Sequence, residues 1–136
     1  MERDEAPDKR AMVRNTTQRR AIRKAFADAG RPLSPQEVLG LAQKDVPKLG
    51  IATVYRTIKG LVDEKRLTAV ELPGEPSRYE IAGKEHHHHF HCRDCDRVYE
   101  VEGCPGDLRD LVPAGFELQD HDVVLYGLCL RCRNGQ

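Results

Sequence analysis

The spacing of apolar residues changes along the chain, and the changes mark out its elements. Ala21, Ile22, Ala25, Phe26 and Ala29 recur at helical spacing, with Arg19, Arg20, Arg23 and Lys24 on the other face. This helix is expected to begin at Asn15 or Thr16, either of which can cap it, and to end at Gly30 before Arg31-Pro32. Ser34-Pro35-Gln36-Glu37 reads as a helix start: Ser34 at the N-cap, Pro35 at the first helical position and Glu37 closing a capping box. Val38, Leu39, Leu41 and Ala42 are the buried face of this second helix, and Pro47 to Gly50 turn the chain. Ile51, Val54, Ile58, Leu61 and Val62 form the clearest amphipathic stripe. The outer face of that third helix, Thr53, Tyr55, Arg56, Thr57 and Lys59, is polar and basic. Two strand-like runs then flank Pro73-Gly74-Glu75-Pro76-Ser77, namely 67–72 and 78–81. Helix, turn, basic helix and hairpin together predict a winged helix-turn-helix over residues 15–81.

Beyond a short polar joint, Ala82-Gly83-Lys84, the pattern becomes strands with one short helix. Strands are expected at 87–92, 97–101, 116–119 and 123–126, and a helix opened by a proline at 105–112. Residues 1–14 mix charges around Pro7 without an apolar period and read as a flexible arm. The organisation is therefore an arm over 1–14, a winged helix over 15–81, a hinge over 82–84 and a ligand-rich domain over 85–136. The fold class is α+β, an N-terminal winged helix-turn-helix followed by a small C-terminal α/β domain.

Composition adds a division of labour. The 136 residues are 39% hydrophobic and 32% charged, which suits one ordinary domain or two small ones. A net charge of zero hides an asymmetry. Residues 1–66 carry 15 Lys/Arg against 9 Asp/Glu, whereas residues 67–136 carry 7 against 13. Every His and Cys lies in the second part. A basic half suits phosphate contact, and an acidic, ligand-rich half suits cation binding. No apolar run approaches a membrane span, and the N-terminus shows no secretory h-region, so a cytoplasmic protein is expected. In that compartment five cysteines are metal ligands before they are disulfides.

The chemistry concentrates in Glu85-His86-His87-His88-His89-Phe90-His91-Cys92-Arg93-Asp94-Cys95. Cys92-x-x-Cys95 and Cys129-x-x-Cys132 are two knuckles, which together complete a tetrahedral four-thiolate site for structural zinc (Zn2+). A thioredoxin-like redox motif would need only one pair and a βαβ setting. Cys104 belongs to neither pair; it is open to being a free thiol, a buried apolar residue or an extra ligand, with the plain readings favoured. On a strand, His87, His89 and His91 face one way and His86 and His88 the other. One run can thus serve two sites. Glu80 and Glu100 are the candidate oxygen ligands for the first face, and Asp107 and His121 the candidate partners for the second. Imidazole with carboxylate makes an exchangeable site for zinc, iron(II) or manganese, as a sensor requires. An expression tag would sit at a terminus and would not end in a cysteine knuckle. Catalysis finds no support: there is no HExxH, deaminase pattern, phosphate loop or nucleophile elbow, so no enzyme is expected.

From about Thr16 to Cys132 the chain resembles the ferric uptake regulator (Fur) family of bacterial metal-dependent repressors. The resemblance rests on Thr16-x-Gln18-Arg19-x-Ala21-Ile22, Leu33-Ser34, Gly50-Ile51-Ala52-Thr53-Val54-Tyr55-Arg56, the run from His86 through Cys92 to Cys95, and Leu125-Tyr126-Gly127-x-Cys129-x-x-Cys132. It implies a homodimer, joined through the C-terminal domain, that binds AT-rich inverted repeats in double-stranded operator DNA when loaded with metal. It implies DNA contacts from Thr53, Tyr55 and Arg56 on the recognition helix and backbone contacts from Arg19 and Arg14. It matches Cys92, Cys95, Cys129 and Cys132 to the structural zinc. It matches Glu80, His87, His89 and Glu100 to the regulatory metal, and His86, His88, Asp107 and His121 to a second site. One position departs: a histidine that precedes the second helix in many members is Pro32 here. Glu71, Cys104, His91 or water would then complete the regulatory site. The unbroken four-His run is most like the zinc uptake regulator (Zur) branch, although the cysteine some of those use near Ala82 is not evident. The expectation is a zinc-responsive repressor of zinc uptake genes. The alternatives are an iron-, manganese- or peroxide-responsive repressor, or a metal buffer or chaperone without DNA binding.

Overall fold

Apolar residues at helical spacing do fold as three helices: α1 (Lys9–Ala29), α2 (Pro35–Ala42) and α3 (Ile51–Asp63). The computed structural model describes the backbone of residues 9–135 and the side chains of residues 14–135. The expected arm before Lys9 lies outside the described residues. Residues 9–14, expected in that arm, are helical, so Asn15 and Thr16 are interior positions and not caps. The reason is propensity: Lys9, Arg10, Ala11 and Met12 are all good helix formers and nothing between them and Thr16 stops a helix. The second start is as expected. Ser34 Oγ accepts from the Glu37 N–H at 3.2 Å, and Glu37 Oε1 accepts from the Ser34 N–H at 3.1 Å.

Two compact units, Met1–Ala82 and Gly83–Gln136, divide the contacts. In the first, Ala21, Ile22 and Phe26 of α1 pack with Val38 of α2 and with Val54, Ile58 and Leu61 of α3 around one apolar core. The helices are followed by β1 (Leu67–Val70) and β2 (Arg78–Ile81), paired antiparallel with Leu67 opposite Ile81. Leu33 adds a single bridge to Tyr79, exchanging both backbone hydrogen bonds at 2.9 Å. Three helices closed by this small sheet are a winged helix.

The second unit is built on β3 (His88–Cys92), the middle strand of three. β4 (Val98–Val101) pairs antiparallel with it, and β5 (Val124–Gly127) pairs parallel on its other side. The stretch 102–123 carries the chain from β4 to β5. The expected helix at 105–112 is reduced to a single 3-10 turn, Arg109–Leu111. Gly103 and Gly106 take φ of 95° and 98° on either side of Pro105, which no helix can absorb. The expected strand at 116–119 is not formed, because no neighbouring strand among the described residues offers it a ladder. A short helix not anticipated from the spacing, α4 (Leu130–Arg133), carries Cys132.

Candidate metal centres and nucleic-acid interface

The helical stripe of α3 decides which residues face outward. Val54, Ile58 and Leu61 are buried, which turns Tyr55, Arg56 and Lys59 to solvent. Arg56 donates to Thr53 Oγ1 at 3.2 Å, and Gln36 Nε2 donates to the Tyr55 hydroxyl at 3.3 Å. The first bond holds the guanidinium along the helix face, and the second ties the phenol to α2. Ile51, expected in the stripe, is exposed at the first turn. On α1, Arg14 is exposed, whereas Arg19 is paired with Glu64. A phosphate contact by Arg19 would have to compete with that carboxylate.

The two cysteine knuckles meet. One sulfur from each of Cys92, Cys95, Cys129 and Cys132 lies within 4.8 Å of the others. β3 supplies Cys92 at its end, and the following turn, with Asp96 at φ 64°, swings Cys95 back. β5 runs parallel to β3, so its exit delivers Cys129 beside the same strand end, where the Cys129 N–H donates to Cys92 Sγ at 3.3 Å. Room for this comes from Gly127, where an added Cβ would stand 3.1 Å from the Phe90 ring. The electrostatics suit a cation. The Cys132 N–H and then the Tyr99 hydroxyl, both donating to Cys129, hold its thiol down at about 6. The Cys129 N–H likewise lowers Cys92, whereas burial and then the neighbouring sulfurs push Cys132 up. Backbone donors favour the first thiolates, and their accumulated charge opposes the last. A divalent ion at the centre removes that opposition, so these residues fit structural zinc.

Alternation along β3 separates the histidines as expected. His87 and His89 share a face, with ring centroids 4.8 Å apart. The His87 Nδ1–H donates to the Glu85 carbonyl at 2.8 Å, which puts the lone pair on Nε2, the form a metal needs. Glu100 stands opposite His89 in the β3–β4 register, where its carboxylate is engaged by Lys84. Glu80 lies on β2 of the first unit, opposite Thr68. Pro32 is buried and offers no ligand atom. His91 goes elsewhere: its Nε2 is 2.6 Å from Asp96 Oδ1.

The other face differs from expectation. His86, His88 and His121 do come together, but the fourth member of the cluster is Cys104. Asp107 instead accepts hydrogen bonds from the Arg109 backbone at 2.9 Å and from its guanidinium at 2.8 to 3.1 Å. The His88 pKa is lowered, first by burial and then by His86 and His121, which favours the neutral ring that ligation requires. Cys104 is the residue that the spacing argument passed over. The signal for it was a thiol inside Gly103-Cys104-Pro105-Gly106, a tight loop in a chain whose other cysteines all pair as knuckles. An Arg two residues after Asp107 was the matching sign that this carboxylate has a local partner.

A winged helix with a basic recognition helix, carried with clusters of metal ligands, defines a class of metal-responsive transcription regulators. The sequence profile of the Ferric uptake regulator family matches residues 10–126, and the chain belongs to that family. The ferric uptake regulation protein of Bacillus subtilis (strain 168) is 33% identical over 128 residues, spanning 89% of this chain and 85% of that protein. Among solved structures, a zinc-bound manganese uptake regulator superposes with a TM-score of 0.70 at 30% identity, covering 83% of this chain and 88% of its own. The Helicobacter pylori ferric uptake regulator, described as having three functional metal binding sites, superposes with a TM-score of 0.65 at 26% identity. It covers 91% of this chain and 88% of its own. Regulators of this family are transcription factors that bind DNA as dimers, not enzymes. No helix of the described residues is long and apolar enough to cross a membrane.

Proposed function

We propose that the protein is a cytoplasmic, homodimeric repressor that binds an AT-rich inverted repeat in operator DNA when its regulatory site is loaded. Zinc is the ion sensed, and zinc uptake genes are the targets. The observation that carries the proposal is the pairing of His87 with His89 on one face of β3, opposite Glu100, in a chain that also exposes Tyr55 and Arg56 on a recognition helix. Glu80, at the end of the wing, is the proposed ligand from the first unit. Cys92, Cys95, Cys129 and Cys132 hold the structural zinc, and His86, His88 and His121 belong to the second site.

A divalent cation, when bound, supplies the charge that draws imidazole and carboxylate ligands from separate elements to one point. The chain does the rest. The Glu85 carbonyl orients His87 for ligation. Lys84 neutralises Glu100, whose carboxylate would be a ligand to the metal. A metal held by Glu80 together with His87 and His89 would restrict the wing to the arrangements that place two recognition helices on successive half-sites. Arg14 and Arg19 add the salt-sensitive phosphate term, and Thr53, Tyr55 and Arg56 read the groove.

Zinc is favoured by the unbroken four-His run, which is most like the zinc branch of the family, and by Pro32, which stands where the resemblance places a histidine in iron and peroxide sensors. Two of the three named relatives are ferric uptake regulators, and that observation favours iron as the second reading. Titration of operator binding with zinc, iron(II) and manganese, with metal content measured on the same samples, separates them. Zinc outbinds iron(II) and manganese at most such sites, so the expected discriminating result is operator binding that zinc switches on and that saturating iron(II) or manganese does not. His87→Ala combined with His89→Ala should abolish metal-dependent binding while the far-UV spectrum and the zinc at the cysteine site stay intact. Retention of full metal dependence in that double variant would remove the sensor assignment. Failure of the wild type to bind any palindromic AT-rich operator would leave a metal buffer.

A further inference from the structure

We propose that Cys104, in place of Asp107, is the fourth ligand of the second metal site, making it a closed centre of three imidazoles and one thiolate. This deepens the proposed function, since it rests on the second site of that reading, but its test does not depend on DNA. The distances carry it. His86 Nε2 is 3.1 Å from His88 Nε2 and 3.2 Å from His121 Nε2. Cys104 Sγ is 3.0 Å from His121 Nε2 and 3.5 Å from His88 Nε2. Zinc bonds to nitrogen and sulfur of ordinary length at the tetrahedral angle give N···N edges of about 3.3 Å and N···S edges of about 3.6 Å. Four of the six edges are thus short enough for one zinc ion to reach all four ligand atoms, which lie within 4.8 Å of one another. Asp107 has no such placement, and its carboxylate would have to give up Arg109 to reach one.

Exchanging carboxylate for thiolate changes the class of ion. Three imidazoles and a carboxylate suit iron(II), manganese or zinc, whereas a thiolate shifts the preference to zinc. It also changes what the site holds. His86 and His88 belong to the β3 end, Cys104 to the loop after β4, and His121 to the segment before β5. Between β4 and β5 the chain has one 3-10 turn as its regular structure, so a bond at each end of that stretch fixes most of its path. One hydrogen bond must change on loading. The Val123 N–H donates to His88 Nδ1 at 3.1 Å, and ligation through Nε2 moves the ring proton to Nδ1, which opens that bond.

Alkylation tests the assignment. Full-length protein carrying one zinc per chain at the cysteine knuckles is treated with iodoacetamide before and after zinc ions are added, and the modified residues are located by peptide mass spectrometry. Cys104 is exposed, so it should be the thiol that reacts first. Added zinc should slow it by at least about tenfold. His121→Ala should lose the protection, and Asp107→Asn should keep it. An unchanged Cys104 rate in zinc-loaded protein, or protection that survives His121→Ala or disappears in Asp107→Asn, would overturn the proposal. Cobalt(II) added to the one-zinc protein provides a second readout: it should give a thiolate-to-cobalt absorption that Cys104→Ser lacks, and absence of that band from the wild type also overturns it. Protection of Cys104 without operator binding would sink the repressor reading alone, and operator binding without protection would sink this one alone.

Discussion

The two units are held together by different physics. Among the described residues the winged helix buries fourteen of the sixteen apolar core residues, twelve of them in one cluster that includes Phe26, Ile22 and Val54. The second unit contributes only Cys92 and Val98 to that set, while Leu111, Phe116 and Leu130 stay at least 70% exposed. Apolar burial at about 25 cal/mol per Å² is the main favourable term in folding, so a unit with so little of it within one chain draws on another source of stability, a second copy or bound ions. Ions held by its ligands would provide one. Four thiols and a histidine-cysteine cluster sit where ions would cross-link strand ends and loops. One unit is therefore held by an apolar core, and the other carries the clusters of candidate metal ligands. That asymmetry suits a regulator: the part that reads DNA stays folded, and the part that reads metal can respond.

The largest test of this contrast is removal of the cysteine-bound ion. Cys92→Ser, or exhaustive chelation, should unfold the second unit and leave the first, because structural zinc in small domains is worth on the order of 10 kcal/mol. Circular dichroism should retain the helical signal while protease cuts appear after residue 83, and a single unchanged cooperative melt would break the comparison. Phe26→Ala should do the reverse, costing the winged helix about 3–5 kcal/mol without loss of zinc. Denaturant unfolding with metal analysis checks it, and loss of zinc at low denaturant would show that the two units are not separable. Gly127→Ala forces a Cβ to within 3.1 Å of the Phe90 ring. A cost of about 1–3 kcal/mol and a faster release of zinc to chelator are expected, because Gly127 leads into the Cys129 knuckle. The smallest effect is at the α2 cap, where Ser34→Ala should lower first-unit stability by about 1 kcal/mol and leave metal affinity unchanged.

Much of this was legible along the chain because it is local. A capping box spans four residues, and the period of Val54, Ile58 and Leu61 alone says which face of α3 is buried. Cysteine knuckles announce themselves by spacing, and strand alternation separates His87 and His89 from His86 and His88 without knowledge of any partner. Local rules also misled where two of them compete. Asn15 and Thr16 can cap a helix, but the residues before them prefer to continue one. Phe116 to Gln119 has a strand-like pattern, yet a strand exists only with a neighbour to bond.

What remained for tertiary structure was everything that depends on a return of the chain. The parallel pairing of β5 with β3 brings Cys129 beside Cys92, across 37 residues, and the ladder partners of those strands have no signature in either one alone. The choice between Cys104 and Asp107 is of the same kind. Both lie in one short loop at workable distance along the sequence from His121, and composition would favour the carboxylate. Two glycines at positive φ aim the loop, and Arg109 captures Asp107 within its own turn, which leaves the thiol facing three imidazoles. Ligand type is written in the residues. Which ligands meet is a property of the path between them, because a metal site selects on ångström separations that sequence spacing does not encode.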